Sequence, residues 1–228
     1  MRSMKVIVQL GFITALLGAG SAFAAQGAAD TASGKPVPTQ VDNSGPSQLI
    51  ESSANVLLAD VDKNRAVYSK DLTGLYKTVE NTLLPNFDTP YAAQLVLGPN
   101  WRNATPEQRK RFVDAFYKRL LYNYGGQMLN FTADRLKVFP TKVTPEDTKA
   151  TVRTEIKRSN GTKVAVNYSM RKVNGAWKAW DVVIDGISYV KSYREDYGSE
   201  VAQKGLEAVI ARLEADAQAA LAAKGKTT

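Results

Sequence analysis

The chain contains no cysteine and no histidine. These absences exclude disulfides, thiolate metal sites, Cys–His dyads, Ser–His triads and imidazole general bases. Carboxylates, Ser, Lys and Tyr remain for any chemistry. Acidic residues are in the minority, 22 against 30 Lys and Arg, for a net charge of +8. Such a chain suits nucleic acid, a membrane surface or an anionic ligand. No internal repeat of fixed period occurs. Beyond the N-terminus there is no apolar run long enough to span a bilayer. The 228 residues suffice for one domain with a sizeable core.

Residues 1–24 read as a secretory signal peptide. Arg2 and Lys5 precede a mostly apolar stretch from Val6 to Leu17, and Ala22-Phe23-Ala24 is a small-x-small cleavage pattern. Removing the segment takes away those two cations and no acid, lowering the +8 to +6. A soluble periplasmic protein is expected, and export makes nucleic acid a poor partner. Residues 25–46 are rich in Gly, Ser, Pro and Ala and read as a disordered leader. A single domain is expected over 47–222, with 223–228 as a flexible tail.

Helical periodicity starts near Ser47, with Ile50, Ala54, Leu57, Leu58 and Val61 on one stripe. A second helix is expected from about Asp71, with Leu72, Leu75, Tyr76, Val79 and Leu83 on one face and Pro85 as its stop. A short apolar segment, Tyr91 to Leu97, ends at Gly98-Pro99. Thr105-Pro106-Glu107-Gln108 combines a capping box with a proline at the first helical position. Phe112, Val113, Phe116, Leu120 and Tyr124 continue that helix until Gly125-Gly126. Strands follow: Leu136 to Phe139, then Ala150 to Ile156, Val164 to Met170 and Trp177 to Ile184, with turn signals at Asn160-Gly161 and Asn174-Gly175. A last helix is expected from Val201 to about Ala222. Helices, then an antiparallel meander, then a helix make an α+β fold: a curled antiparallel sheet packed on one face by helices.

The stretch from Trp177 to Gly205 is the pivot. Trp180, Val182 and Ile184 alternate with Ala179, Asp181 and Val183, so one face reads as apolar. After Asp185-Gly186, helical spacing takes over at Ile187, Val190, Arg194 and Tyr197. An enzyme would pair Asp181 with Asp185 as acid and base. Their parity points both away from the apolar face, which favours turn and hydrogen-bond roles. Ser188 suits a helix N-cap. As a nucleophile it has only Lys191 for a base. Lys110, Arg111, Lys118 and Arg119 read as a solvated outer face of the capped helix, or as a docking surface for anionic headgroups or a partner.

Several pieces, in order, carry a family resemblance. They are Leu84-Pro85-Asn86-Phe87-Asp88, Val96-Leu97-Gly98 with Trp101, and Ala104-Thr105-Pro106-Glu107-Gln108-Arg109 with Phe112 and Phe116. Trp177, Trp180-Asp181, Gly186-Ile187-Ser188, Tyr193-Arg194, and Lys204-Gly205 with Leu206 and Leu213 complete the set. Over about Ser47 to Leu213 the chain resembles the MlaC family of periplasmic phospholipid-binding proteins, also labelled toluene-tolerance or ABC-transporter auxiliary proteins. The resemblance implies a monomeric, non-catalytic shuttle with a phospholipid as cargo and no other cofactor or metal. It implies an outer-membrane lipoprotein–porin complex and an inner-membrane ABC transporter with an MCE-domain subunit as partners. It also implies an apolar lipid cavity. The residues expected to line it are Leu75, Val79, Phe116, Leu120, Val152, Thr154, Val164, Val166, Tyr168, Val182, Ile184, Ile187 and Val190. The competing class is an enzyme on a cone-shaped α+β fold, using carboxylates and Tyr on an apolar substrate.

Overall fold

The computed structural model describes residues 40–132, 135–157 and 161–224. The expected signal peptide, most of the expected leader, Asn160 and residues 225–228 lie outside them. The described residues form seven α-helices and a five-stranded sheet. The strands are β1 (Leu136–Val138), β2 (Lys149–Lys157), β3 (Lys163–Val173), β4 (Ala176–Ile184) and β5 (Ile187–Ser188), and their spatial order follows the chain. Every pairing is antiparallel. Asn174-Gly175 and Asp185-Gly186 close two hairpins with both turn residues at positive φ. That backbone matches the strand twist and selects Asn-Gly or Asp-Gly.

Helix α1 (Pro46–Tyr68) lies on the apolar face of the sheet. Its Leu49 and Ile50 pack with Val152, Met170, Trp177 and Ala179. The chain joins the domain before the expected start at Ser47. Val41 packs against this cluster. Asn43 donates to the Trp177 carbonyl at 3.1 Å and accepts from the Trp177 N–H at 2.8 Å. Helix α2 (Thr73–Thr82) packs against α1 through Leu75, Leu57, Val61 and Tyr68.

Helix α3 (Thr89–Leu97) is capped by the Asp88 carboxylate. A four-residue helix, α4 (Asn100–Asn103), leads into α5 (Pro106–Tyr124). The Thr105 hydroxyl and the Gln108 side chain satisfy each other's backbone N–H at 3.1 Å each, the expected capping box. Helices α6 (Tyr189–Lys204) and α7 (Leu206–Lys224) complete a helical half. Its core comprises Leu97, Phe112, Phe116, Tyr197, Val209, Ile210 and Leu213. Ion pairs reinforce the α5–α7 contact: Arg111 reaches Glu207 at 2.6 Å and Glu214 at 2.7 Å, and Arg119 reaches Asp216. Arg111 and Arg119 therefore face α7 rather than solvent, whereas Lys118 is exposed.

Three expectations change. Ile187 pairs with Ile184 in β5 instead of starting a helix. Two residues of strand are too few to compete with the helical spacing that follows. The last helix is two helices, because Gly205 breaks the chain at φ 81° and ψ 157°. Trp180 does not share a face with Val182 and Ile184. Ser169 pairs with Asp181 but Met170 with Ala179, so Trp180 is the extra residue of a β-bulge. It packs edge-on against Tyr91, 5.6 Å between centroids.

The backbone at Gly205 belongs to a region essentially restricted to glycine, and a Cβ there would meet no atom within 4 Å. Gly205→Ala should therefore cost about 1–3 kcal/mol purely through the backbone. Urea unfolding monitored by circular dichroism measures the difference.

Candidate functional site

The apolar face of the sheet has two halves. Val152, Met170, Trp177 and Ala179 are fully covered by α1. Further along, Thr154 pairs with Val166, Ile156 with Val164, and Val166 with Ile184. Among the described residues, none of the four packed clusters includes Val164, Val166, Val182 or Ile184. Val164 and Val166 are buried, Val182 and Ile184 half-buried, and Ile187 beside Ile184 is 56% exposed. Thr154 is buried and turns its hydroxyl to the Val166 carbonyl at 2.6 Å. The face thus grades from a solid core to an open greasy rim.

On the helical side, Leu75 and Phe116 sit inside packed clusters, Phe116 stacked on Phe112 at 5.7 Å. Val79, Leu120 and Val190 lie at the margins of those clusters and are half-buried. Leu75, Phe116 and Val152 therefore belong to packed core, and Val79, Leu120 and Val190 to its half-buried margins. Burial pushes the Tyr168 phenol up to about 12, yet the side chain keeps accessible area. Burial also raises Tyr117, assisted by the Asp88 charge, and raises Tyr193, assisted by Tyr124. Both remain half-buried.

Two surface clefts measure about 330 and 470 Å³. The first is lined by Leu95, Gly98, Trp101, Arg102 and Arg194, the second by Leu84, Phe87, Asp88, Val173 and Lys178. None of the residues expected to line a cavity borders either.

Asp181 is buried at 6% exposure on the opposite face from Val182. It accepts from the Ser188 hydroxyl at 2.6 Å and the Val190 N–H at 3.0 Å. Ser188 in turn accepts from the Lys191 N–H at 3.1 Å, the expected N-cap. The carboxylate ties β4 to the start of α6. Asp185 is exposed at the hairpin and accepts from the Ala165 N–H at 3.2 Å. The two acids serve separate backbone groups, which is the turn and hydrogen-bond role and not an acid–base pair. Among the described residues, no cluster of acidic side chains could hold a metal ion.

The family model described as "MlaC protein" matches residues 51–215. This chain belongs to the MlaC family. Among curated relatives, the toluene tolerance protein ttg2D of Pseudomonas putida is 26% identical over 161 residues, 70% of this chain and 74% of its own length. The intermembrane phospholipid transport system binding protein MlaC of Haemophilus influenzae is 24% identical over 182 residues, covering 78% and 85%. The fold matches that of a phospholipid-binding protein from Ralstonia solanacearum, solved with a phospholipid bound. The TM-score is 0.68 at 22% identity, over 75% of this chain and 96% of that one.

Sequence reasoning missed the tyrosine row of this MlaC-family chain. Tyr189, Tyr193 and Tyr197 stand four apart on α6, and Tyr193 lies 5.2 Å from Phe116 and 5.8 Å from Tyr197. Their i, i+4 spacing was the available signal.

Removing the Asp181 carboxylate orphans two donors. Asp181→Ala should lower unfolding stability by about 1–3 kcal/mol, and Asp181→Asn by less. Thermal melts give the ranking, and bound lipid measured in the Asn variant should stay at the wild-type level. Tyr168 and Tyr197 are both held at about 12, above the ordinary phenol value. The fold therefore favours the neutral phenol. That contribution is complete below about pH 10 and is lost as pH rises toward about 12. Unfolding free energies at about pH 9 and about pH 11 should fall in that order, less steeply in Tyr168→Phe.

Proposed function

We propose that this protein is a non-catalytic periplasmic carrier of one phospholipid. The observation that carries the reading is the half of the sheet's apolar face that joins no packed cluster. We assign Val164, Val166, Val182, Ile184 and Ile187 to one wall, with Tyr168 at its border with the α1 cluster, and Val79, Leu120 and Val190 to the helical side of the site. A relative named for intermembrane phospholipid transport and a fold-mate with bound phospholipid support the same cargo. Two acyl chains need roughly 1,000 Å³, the upper end for small-molecule sites. The α1–sheet cluster and the α3–α5–α6–α7 cluster share no residue, which leaves the sheet's distal apolar face between them for the chains.

Energetics dictate how cargo moves. Burying one methylene is worth about 0.8 kcal/mol, so roughly 30 acyl carbons give on the order of 25 kcal/mol. That exceeds the practical ceiling of non-covalent affinity. Release into water is therefore too slow, and transfer requires docking to a greasy donor or acceptor. An outer-membrane lipoprotein–porin complex and an inner-membrane ABC transporter with an MCE-domain subunit fit those roles. An expected signal peptide at 1–24 fits the compartment.

The native protein should purify with about one phospholipid, read by lipid mass spectrometry. Val166→Glu places a carboxylate against the acyl chains, where desolvation penalises the charge. The expected outcome is a folded, lipid-free protein, because water can fill an emptied hollow and solvate the charge. A wild-type protein free of lipid would count against the carrier. An unfolded Val166→Glu variant would place Val166 in solid core.

A further inference from the structure

The face of the sheet turned away from α1 is basic. Register places Lys137 beside Glu155, Arg153 beside Asn167, and Lys149 beside Arg171 and then Lys178. Lys157 lies opposite Lys163 at the end of the ladder. Lys137, Lys149, Arg153 and Lys157 are exposed. Acids on this face are few and occupied. Glu155 pairs with Lys163 at 2.8 Å, Asp88 with Arg171 at 3.3 Å, and Asp181 holds Ser188 and Val190. Lys137, Lys149, Arg153, Lys157 and Lys178 have no carboxylate partner among the described residues. Strand spacing and rise spread them over about 14 by 27 Å.

We infer that this face rests on the anionic headgroups of a phospholipid bilayer. The chemistry of the face selects that partner over an acidic protein. A protein interface needs an apolar or aromatic anchor that can be desolvated. The aromatic side chains beside these cations are already occupied: Phe139 sits under Lys137 at 4.9 Å and Arg153 at 6.0 Å, and Tyr91 lies under Arg171 at 4.1 Å and edge-on to Trp180. Neither cleft touches Lys137, Lys149, Arg153 or Lys157. Dispersed, mostly lysine point charges on a broad ladder suit a fluid array of phosphates, which needs no fixed geometry. Lying on the side of the sheet away from the acyl wall, the face holds the protein near a membrane without blocking its greasy rim. The inference rests on the carrier reading, since a carrier must visit membranes.

The test is co-sedimentation of the purified full chain with vesicles of phosphatidylglycerol and phosphatidylcholine, and with vesicles of phosphatidylcholine alone. Binding should require phosphatidylglycerol and vanish as salt shortens the screening length. The triple variant Lys149→Gln, Arg153→Gln, Lys157→Gln should bind on the order of 100-fold more weakly, at about fivefold per cation. The double variant Lys149→Gln, Lys157→Gln should follow at an intermediate level and guards against a folding defect at Arg153. The control Lys70→Gln, Lys77→Gln, Lys118→Gln removes equal charge from the helical side and should bind like the wild type. Equal binding to both vesicle types, a salt-insensitive complex or equal loss in the control would overturn the inference. So would capture by immobilised polyglutamate without vesicle binding, which would assign the face to an acidic protein. Lipid mass spectrometry on the same preparation separates the two readings. Lipid-loaded protein that ignores anionic vesicles refutes only this surface, and vesicle binding by lipid-free protein refutes only the carrier.

Discussion

The phase of one strand governs the rest of the structure. In β4 the side chains must alternate between a greasy face and a solvated face, and a single extra residue at Trp180 resets that alternation. Before the bulge, Trp177 and Ala179 close onto α1. After it, Val182 and Ile184 stay on the same face, Asp181 turns to the other side, and the strand end is freed from the α1 cluster. Trp180 itself reaches Tyr91 of α3. Without the bulge, either the first or the second half of β4 would present its apolar residues to the wrong side.

From that phase follows the division of labour between the two halves of the molecule. The sheet and α1 share one core, and α3, α5, α6 and α7 share another with its own aromatic stack. Near β4 they are joined by the Asp181 carboxylate on the start of α6, the Asp88 N–H on the Ala179 carbonyl at 2.7 Å, Arg171 over Tyr91 at 4.1 Å and Trp180 edge-on to Tyr91. Away from β4, Leu72 beside α2 packs both with Leu57 and Val61 of α1 and with Tyr122 of α5 and Ala217 of α7. These contacts hold the halves in register while leaving the distal half of the apolar face out of either core. A solid domain would merge the two cores, whereas here Val164, Val166, Val182 and Ile184 belong to neither.

Much of this was legible because local chemistry decided it. Thr105 to Gln108, Asn174-Gly175 and Ser188 each had one physical use, and the structure uses them that way. The bulge was half legible. Trp177 and Ala179 keep one parity and Trp180, Val182 and Ile184 the other, so two phases meet within one strand. Gly205 was also in plain view, but propensity alone costs a helix only about 1 kcal/mol at an interior glycine, too little to demand a break. The site was harder. Leu75, Phe116 and Val152 have the same apolar character as Val166, Val182 and Ile184. What separates members of the packed clusters from residues that join none is which neighbours arrive from distant chain segments, and periodicity carries no such information.

The strand order carries a further consequence for how the chain finds its fold. Each strand pairs with the next one along the chain, so the sheet can grow hairpin by hairpin with short loops to close. Other contacts reach much further along the chain, and Asn43 grips the Trp177 backbone across 134 residues. Its loop entropy cannot be recovered until both the meander and α1 exist. The N-terminal segment is thus a latch whose closure costs the entropy of a long loop. Trp177, the residue it holds, is also where α1 and the sheet meet, so the latch closes over the seam between the first helix and the last long strand.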